Sequence, residues 1–367
     1  MLKVTVLGTR GIPGVLGGVE THCQNLYPEI VRQSGSEVTV IARSPYVGYK
    51  TAEYQGVQLR TVTAPKKKSL EAIIHSVFAA MTTLTDGSDI VHVHAIGPGL
   101  VVPLLRLAGK KVVFTHHGPD YDRQKWGRMA KMVLKLGEKL AVKFASEVIV
   151  ISEVINQLIK GKYGRENAHL IHNGVNLPKA LDQATSDAVL AQYDLTPKGY
   201  LVAVGRFVEE KGFHDLIQAY QQSGISKPLV LVGDADHPTP YSESLKQKAR
   251  ETEGVILTGF LKGDALQAVF SQAGLYVMPS YHEGLPIALL EAMSFSLPAI
   301  VSDIPANLEV ALEREVYFPV SDVAALTDKL ILKQHETYCD YRSHLKKYDW
   351  AMIAGQTQAV YNKITGN

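Results

Sequence analysis

Cysteine is scarce in this chain of 367 residues, which contains only Cys23 and Cys339. Two cysteines so far apart provide neither a disulfide framework nor the spacing of a metal site, so we expect a protein of a reducing compartment. No stretch reaches the ~18 consecutive apolar residues that a membrane-spanning helix requires. Residues 1–8 predict a strand that runs into a glycine turn, and not a signal peptide. Together these absences predict a cytoplasmic protein.

Features typical of nucleic-acid-binding proteins are lacking as well. No aromatic residues are interleaved with the basic ones and no DNA- or RNA-binding motif is visible, so we expect no nucleic-acid partner. The chain also lacks internal repeats and low-complexity tracts. Its 46% hydrophobic and 20% charged residues are typical of a globular protein. A chain of this length is too long for one ordinary core, and it fits two domains of about 150–200 residues.

Short runs of valine, isoleucine and leucine alternate with helical stretches along the chain. Continuous apolar strands separated by helices predict parallel sheets that are covered on both faces. The pattern restarts near Tyr200, after a polar stretch at 179–199. We therefore predict a first domain of residues 1–178, a second domain of residues 179–349, and a hinge at Leu177 and Pro178.

One segment, residues 281–291, combines several features of a ligand site. Glu283 and Glu291 are eight positions apart, with a Gly-Leu-Pro turn after the first and a helix expected from about Pro286. The start of such a helix presents unpaired N–H groups and a partial positive charge, which suit a diphosphate. Carboxylates accept hydrogen bonds from hydroxyl groups, so the segment indicates a nucleotide-sugar site. A glutamate pair at this spacing is also common on surface helices, which is the structural alternative.

Two flanking segments favour the ligand site. Residues 201–205 predict a buried strand followed by a loop that carries Arg206 and Lys211, and both cations could reach one diphosphate. Downstream, residues 298–303 predict another short strand that ends in a polar turn. Phosphate, ribose and sugar contacts would then all lie at the carboxyl ends of successive strands, where open α/β sheets bind ligands.

These runs resemble, in their order and separation, those of the retaining glycosyltransferases of family 4, which have the GT-B fold. The resemblance covers most of the chain. It rests on the glutamate pair, on the Gly-Arg and Lys-Gly pairs within 205–212, and on four further segments: a glycine-rich first loop (11–20), two strand ends with histidines (91–94 and 113–118) and the segment 171–176. The opening loop is most similar to that of bacterial rhamnosyl- and related cell-surface polysaccharide transferases.

The resemblance implies an α/β protein of the GT-B fold, with two Rossmann-like domains facing a cleft. It implies that the second domain binds a nucleoside-diphosphate sugar, that the first binds the acceptor, and that the C-terminal helix, residues 350–367, packs back on the first domain. The reaction would be sugar transfer with retention to a lipid-linked or other saccharide acceptor in bacterial surface polysaccharide synthesis. No cofactor and no metal would be required.

Within the second domain, the resemblance assigns Arg206 and Lys211 to the diphosphate, Glu283 to hydroxyl groups of the donor sugar, and Glu291 to the ribose. Fixed cations and N–H groups would stabilise the negative charge that accumulates on the departing nucleoside diphosphate. The loop and helix start that bind the donor would contribute Gly284, Leu285 and Pro286.

Within the first domain, the resemblance assigns Gly17 and Gly18 to a close approach between the backbone and the diphosphate or acceptor, which a side chain would prevent. It places His117 at the reacting centre, where it would position the donor sugar or the acceptor. The adjacent His116 makes the alignment ambiguous by one position, and the Thr-x-His-Gly spacing favours His117. A core histidine is the structural alternative for each of them.

Three other patterns suggest different chemistry. Asp234 and Asp236 have the spacing of a metal-binding Asp-x-Asp pair, although we expect a turn there. His92 and His94 share one face of a strand, but no third ligand is apparent nearby, so we predict core histidines and no metal site.

The third pattern, the first glycine loop, superficially resembles a dinucleotide loop but lacks the Gly-x-Gly-x-x-Gly spacing. With Arg43 at the end of the second strand, it supports an NADP-dependent oxidoreductase as an alternative function. A non-catalytic nucleotide-sugar-binding protein of the same fold is the other alternative.

Positive charge is concentrated in the first half of the chain. Residues 1–178 contain 22 Lys and Arg against 13 Asp and Glu, although the whole chain is nearly balanced. The basic residues cluster at 66–68 and between 123 and 143. On a helix, four of them form a stripe opposite an inward apolar face; the stripe is Arg128, Lys131, Lys135 and Lys139, and the expected inward face is Met129, Val133, Leu136, Leu140 and Phe144.

Such a stripe is either a solvated face or a surface that contacts anionic lipid, to which each cation near the headgroups contributes about 1 kcal/mol. An enzyme whose acceptor is lipid-borne would use a surface that contacts anionic lipid. We therefore predict peripheral association with the anionic inner face of the cell membrane.

Overall fold

The computed structural model describes residues 1–15, 17–64, 71–122, 127–176, 178, 181–235 and 237–366. They form two compact units, one of residues 1–174 and 347–367 and the other of residues 175–346. The basic run 66–68, Arg123, Lys125, Leu177 of the predicted hinge and Asp236 lie outside the described residues. The division falls four residues before the predicted boundary at 178, and the chain returns to the first unit at Lys347.

Unit 1 contains an eight-stranded sheet with the order β3-β4-β2-β1-β5-β6-β7-β8. Every neighbouring pair is parallel except β3 and β4, which are antiparallel. The strands are β1 (Lys3–Leu7), β2 (Glu37–Arg43), β3 (Thr51–Tyr54), β4 (Val57–Val62), β5 (Ile90–His94), β6 (Lys111–His116), β7 (Glu147–Val150) and β8 (His169–Leu170).

Helices cover the sheet of unit 1, as expected for parallel strands that are buried on both faces. In chain order they are α1 (Gly18–Ser34), α2 (Glu71–Thr83), α3 (Val102–Leu107), α4 (Arg128–Phe144) and α5 (Glu153–Tyr163). The last helix of the chain, α14 (Trp350–Thr365), packs against α1 and adds Ile353, Val360 and Tyr361 to the same core.

Unit 2 contains a parallel six-stranded sheet with the order β11-β10-β9-β12-β13-β14. The strands are β9 (Leu201–Val204), β10 (Leu229–Val232), β11 (Val255–Gly259), β12 (Leu275–Met278), β13 (Ala299–Ser302) and β14 (Tyr317–Phe318). The helices are α6 (Gln183–Ala191), α7 (Phe213–Ser223), α8 (Pro240–Glu251), α9 (Gly263–Ser271), α10 (Ile287–Ser294), α11 (Pro305–Leu308), α12 (Val323–Lys333) and α13 (Arg342–Leu345). The order reverses between β9 and β12, and the loops after these two strands lie side by side at the carboxyl ends.

The apolar runs predict strands at 3–7, 37–41, 90–93, 111–115, 147–151, 168–171, 200–204, 228–232, 255–257, 275–278 and 299–301. Each of these strands is present with ends shifted by no more than two residues, but the prediction missed β3, β4 and β14. In β3, the edge strand, and in β4 beside it, exposed residues alternate with more buried ones, as expected where only one face of a sheet is covered. The apolar runs used for prediction mark only strands that are buried on both faces.

The predicted inward face of α4 is wrong for three of its five residues. Met129, Leu136 and Phe144 are 75%, 48% and 50% exposed, whereas the buried positions of the helix are Gly137, Glu138, Ala141 and Val142. Gly137 and Ala141 face the segment 96–101, which approaches closely: a Cβ at Gly137 would lie 2.2 Å from the Ile96 carbonyl oxygen, and a Cβ at Gly99 would lie 2.9 Å from the Cβ of Ala141. The larger apolar residues therefore share the outer surface with the lysines.

Among the described residues, no helix is both long and apolar enough to cross a membrane.

Candidate functional site

In unit 2, the loop after β9 and the loop after β12 are in direct contact. Gly212 has a left-handed φ of 63°, and a Cβ at this position would lie 2.2 Å from the carbonyl oxygen of Pro279. The N–H of Tyr281 donates to the carbonyl oxygen of Glu210 over 2.8 Å. Only glycine permits both the conformation and the approach, so Gly212 holds the cation-bearing loop against the glutamate-bearing loop.

This contact brings Lys211 and Glu283 together. The Lys211 ammonium donates to Glu283 Oε1 over 2.6 Å, and the Ser280 hydroxyl donates to the same oxygen over 2.7 Å. The two charged side chains are only 18% and 11% exposed. The pair is thus shielded from bulk water. Electrostatic interactions in such a shielded place are stronger than at a solvated surface.

The residues that follow Glu283 present free donors beside this ion pair. Among the described residues, no group accepts a hydrogen bond from the N–H of Glu283, Gly284 or Leu285. Helix α10 begins at Ile287, one residue later than expected, with Pro286 as its N-cap. An ammonium group, amides that donate to no described group and a helix N-terminus could together bind an anion.

Glu291 lies on α10 and differs from Glu283 in having no described hydrogen-bond donor or cation on its carboxylate. Burial raises the pKa of this carboxyl to about 7. The pKa of the buried Tyr276 hydroxyl is raised well above its usual value, first by burial and then by the charges of Glu283 and Glu291, so both carboxylates lie near Tyr276. A half-buried carboxylate without a described donor is suited to accept hydrogen bonds from ligand hydroxyl groups.

Arg206 occupies the start of the loop after β9, and its side chain is exposed. It shares this loop with Lys211, which the ion pair with Glu283 holds in place. In the loop after β10, Asp234 pairs with Lys246 over 2.7 Å. That ion pair gives Asp234 a structural partner, and its companion Asp236 lies outside the described residues.

In unit 1, the first glycine loop is organised around Glu20. The buried Glu20 carboxylate accepts hydrogen bonds from the Arg10 N–H over 2.9 Å and from the Arg10 guanidinium over 3.3 Å. A Cβ at Gly17 would lie 2.0 Å from Glu20 Oε2, so Gly17 makes room for this carboxylate. Gly18, by contrast, has no protein atom within 4 Å of the position of a Cβ, which leaves the start of α1 open.

The two adjacent histidines at the end of β6 have different environments. His116 is fully buried, and its Nε2 lies 2.9 Å from Glu138 Oε1. His117 follows the strand, is partly exposed, and its Nε2 lies 2.8 Å from His94 Nδ1. His116 thus lies in a buried cluster around Glu138, which also pairs with Lys162. His117 is the histidine that reaches the surface of the unit.

In the sequence, no third ligand is apparent beside the pair His92 and His94, but two further imidazoles lie near His94. Ring nitrogens of His22, His94 and His117 lie within 4.8 Å of one another, an arrangement that could hold a metal ion. His22 is in the second turn of α1, 72 residues before His94, and its spacing carried no signal of this proximity. Its buried Nδ1 has no hydrogen-bond partner among the described residues.

These histidines are neutral at physiological pH. Burial lowers the pKa of His22 to about 4, and burial followed by the charge of His22 lowers the pKa of His92 to about 3. The pKa values of His94 and His117 are also well below the usual value, chiefly because of burial and then because of the neighbouring histidines. A cluster of neutral imidazoles offers both donors and acceptors of hydrogen bonds.

Arg43, which supported the oxidoreductase alternative, forms an ion pair within unit 1. Its guanidinium pairs with Glu71 over 3.3 Å, and the two side chains are 12% and 7% exposed. The Tyr46 hydroxyl donates to the same carboxylate over 3.1 Å. The arginine is therefore not presented to a ribose phosphate.

Two sequence profiles match the two halves of the chain. The profile described as glycosyltransferase family 4 matches residues 16–179, and the one described as glycosyl transferases group 1 matches residues 191–349. The chain is 24% identical to an uncharacterised glycosyltransferase of Methanocaldococcus jannaschii, covering 98% of each chain. It is 25% identical to GDP-mannose:cellobiosyl-diphosphopolyprenol alpha-mannosyltransferase of Xanthomonas oryzae pv. oryzae, covering 85% of this chain and 83% of the relative.

Solved structures share the fold over the full length. Sucrose-phosphate synthase from Thermosynechococcus elongatus superposes with a TM-score of 0.81 at 20% identity, covering 100% of both chains. Anabaena HepE in complex with UDP and glucose superposes with a TM-score of 0.76 at 17% identity, again covering 100% of both chains. The two α/β units therefore have the GT-B fold, as expected. From the profiles, the relatives and the fold together, this chain belongs to the GT-B glycosyltransferase superfamily and is an enzyme of that class.

Proposed function

We propose that this enzyme transfers a sugar, with retention and without a metal, from a nucleoside-diphosphate sugar to a saccharide acceptor. The observation that carries the proposal is the largely buried Lys211–Glu283 pair beside the amides of Gly284 and Leu285, which donate to no described group. Unit 2 would bind the donor, and unit 1 would bind the acceptor and supply His117.

The proposed chemistry follows from the charge that develops during transfer. The bond between the sugar and the diphosphate breaks, so the leaving oxygen becomes more negative. Lys211, Arg206 and the free amides would stabilise that charge, and preorganised donors of this kind typically contribute about 3–4 kcal/mol each. Glu283 would accept hydrogen bonds from donor-sugar hydroxyls, and Glu291 from the ribose.

Relatives support a nucleotide-sugar donor. The Anabaena structure contains UDP and glucose, and the Xanthomonas relative is named for GDP-mannose. The base and the sugar used by this chain are a separate question, because these two proteins differ in both. The acceptor of the Xanthomonas enzyme is named as a diphosphopolyprenol, which supports a lipid-linked acceptor here and a role in surface polysaccharide synthesis.

The outer surface of unit 1 supports a location on the inner face of the membrane. On α4, Met129 and Met132 are 75% and 67% exposed, beside the exposed Lys135 and Lys139. Helix α3 packs beside α4, and α2 and α4 contact the same turn at 98–101. Helices α2 and α3, with the residue that follows α2, expose further large apolar residues: Val77, Phe78, Met81, Leu84, Leu104 and Leu107.

A mixed apolar and basic surface of this kind suits the headgroup region of an anionic bilayer. Apolar side chains gain about 25 cal/mol for each Å² removed from water, and basic residues are attracted to anionic headgroups. A solely solvated face would need the lysines but not the methionines and leucines. We therefore propose that the surface formed by α2, α3 and α4 contacts lipid.

A thermal-shift panel of UDP, GDP, dTDP, ADP and NADP, followed by a turnover assay with the sugar of the stabilising nucleotide, tests the donor proposal. We expect one nucleoside diphosphate to raise the melting temperature, and Lys211→Ala to abolish the shift. No shift with any nucleoside diphosphate would contradict the donor site, and a shift with NADP alone would favour an oxidoreductase. Binding without turnover on a panel of polyprenol-linked saccharides would favour the non-catalytic alternative.

A further inference from the structure

Three histidines from separate elements of unit 1 meet at the carboxyl end of its sheet. His22 lies on α1, His94 ends β5, and His117 follows β6. One ring nitrogen from each histidine lies within 4.8 Å of the corresponding nitrogens of the other two. No described carboxylate pairs with any of these rings, so the group is not an ion-pair cluster like the one around His116.

The spacing of the three rings matches that of imidazoles bound to one ion. With Zn–N distances of about 2.0–2.1 Å and tetrahedral angles, the centroids of two bound rings would be about 5.2 Å apart. The observed centroid distances are 5.4 Å between His22 and His94, 4.9 Å between His22 and His117, and 5.1 Å between His94 and His117. One ion among the rings would therefore require them to rotate, but not the elements that carry them to move.

The hydrogen bonds around the rings also suit a metal site. The Tyr27 hydroxyl is hydrogen-bonded to His94 Nε2, which leaves Nδ1 facing His117, and an outer partner of this kind orients a metal-bound imidazole. His94 Nδ1 lies 2.8 Å from His117 Nε2, and an ion would replace that hydrogen bond and hold the two nitrogens about 3.3 Å apart. The buried Nδ1 of His22 has no hydrogen-bond partner among the described residues, and coordination by this nitrogen would supply one.

The type of ligand selects the metal. Imidazole nitrogens suit Zn²⁺, Co²⁺, Ni²⁺ and Cu²⁺, whereas Mg²⁺ and Ca²⁺ prefer oxygen ligands. Three protein ligands leave a fourth position on a tetrahedral ion for water or another ligand. His117 is partly exposed, so the site can be reached from the surface of the unit.

We propose that His22, His94 and His117 form a Zn²⁺ site and that Zn²⁺ bound there inhibits the enzyme by occupying His117. The inhibition rests on the proposed function, in which His117 contacts the donor sugar or the acceptor and the reaction uses no metal. The binding of Zn²⁺ rests on the three histidines alone. A metal-bound imidazole nitrogen cannot at the same time bond a substrate, because its lone pair is used by the ion.

Co²⁺ and Zn²⁺, each added alone to the untagged full-length protein after dialysis against EDTA, test the site. We expect Co²⁺ to give the visible absorption spectrum of a tetrahedral complex, and added Zn²⁺ to abolish it. Zn²⁺ alone should raise the melting temperature. The absence of both effects would overturn the proposal, and Zn²⁺ binding without inhibition of an active enzyme would refute the inhibitory role. If the protein is inactive with every donor, the proposed function fails, while the cobalt spectrum still decides the site.

His22→Leu removes one ligand, and His75→Leu is the matched control. Both histidines are buried on helices of unit 1, and both have an Nδ1 without a partner among the described residues. His22→Leu should weaken Zn²⁺ binding by more than the roughly 10–100-fold that loss of an outer partner causes, Tyr27→Phe should weaken it within that range, and His75→Leu should leave it unchanged. His117→Asn replaces His22→Leu if that variant fails to melt cooperatively. Wild-type Zn²⁺ affinity in a folded variant that lacks either ligand would contradict the site.

Discussion

Lys211 and Glu283, which are 72 residues apart in the sequence, form a 2.6 Å ion pair between the loops that follow β9 and β12. The pair places a cation and a carboxylate at one end of the sheet of unit 2, next to unpaired amides. We propose that a diphosphate competes with Glu283 for the ammonium group. The first prediction concerns this competition.

Lys211→Ala should lower kcat/KM for the nucleotide-sugar donor by about 10²-fold or more, because one preorganised charge on the leaving group is lost. The loss should appear mainly in kcat if the cation acts on the developing charge. Lys329→Ala is the control, since the Lys329 ammonium donates to the Glu315 carbonyl oxygen and to no other described group. Equal activity of the two variants would contradict the assignment of Lys211.

Glu291 should make the protein less stable as the pH rises from about 4.5 to about 7. Burial raises its pKa to about 7 in the folded state, so the folded protein binds the proton more tightly than the unfolded chain does. That contribution is present below pH 4.5 and is lost as the pH rises through 7, with an upper limit of about 3 kcal/mol. Denaturant unfolding at pH 5 and pH 8 should show the difference, and Glu291→Gln should reduce it. The same pH dependence in both proteins would argue against a protonated Glu291.

Glu138 should stabilise unit 1 at neutral pH and lose this effect in acid. Burial alone would raise its pKa, but hydrogen bonds from His116, Lys162 and Tyr163 outweigh burial and lower the pKa to about 2. The stabilisation is therefore present above pH 4.5 and is lost as the pH falls through 2. Glu138→Gln should reduce the free energy of unfolding by about 3–5 kcal/mol at pH 7, because a buried ion pair is broken.

The matched control for this variant is Glu166→Gln, at an exposed position of the same unit. Its free energy of unfolding should change by no more than about 0.5 kcal/mol. A similar small change in Glu138→Gln would show that the cluster around Glu138 is not the ion-pair network described above.

Gly212→Ala should destabilise unit 2 and separate Lys211 from Glu283. Gly224→Ala isolates the cause, because Gly224 has nearly the same φ, 62° against 63°, but no atom within 4 Å of a Cβ. Both variants incur the left-handed strain of about 1–2 kcal/mol. Only Gly212→Ala adds the clash with Pro279, which we expect to cost about 1–3 kcal/mol more. Equal melting temperatures would show that the two loops are not held this closely.

The surface formed by α2, α3 and α4 should bind anionic vesicles. Replacing Lys135 and Lys139 by glutamine should weaken binding at low salt by roughly 30-fold, since each cation contributes about 1 kcal/mol. Replacing Met129 and Met132 by serine should weaken the binding that persists at high salt. Leu332→Ser is the control, because Leu332 is 77% exposed in unit 2. Failure of the wild-type protein to sediment with phosphatidylserine vesicles at low salt would rule out the lipid surface.

The order of strands and helices could be predicted from the chain because buried parallel strands are apolar without interruption. The same reasoning missed β3 and β4, whose half-exposed residues do not form such runs. It also placed the wrong face of α4 inward, because apolar periodicity alone does not reveal that the adjacent turn admits only glycine and alanine. A large apolar residue indicates burial only where neighbouring elements leave room for it.

Residue types and spacing determined the fold class and named the loops that carry Arg206, Lys211, Glu283 and Glu291, since local sequence sets strands, turns and helix starts. Only the tertiary structure paired Lys211 with Glu283, left Glu291 half-buried without a described donor, and joined His22 and Tyr361 to histidines in β5 and after β6. These relationships link residues that are distant in the chain. They depend on how elements pack, and hydrogen bonds and pKa values arise from the distances and burial that packing creates.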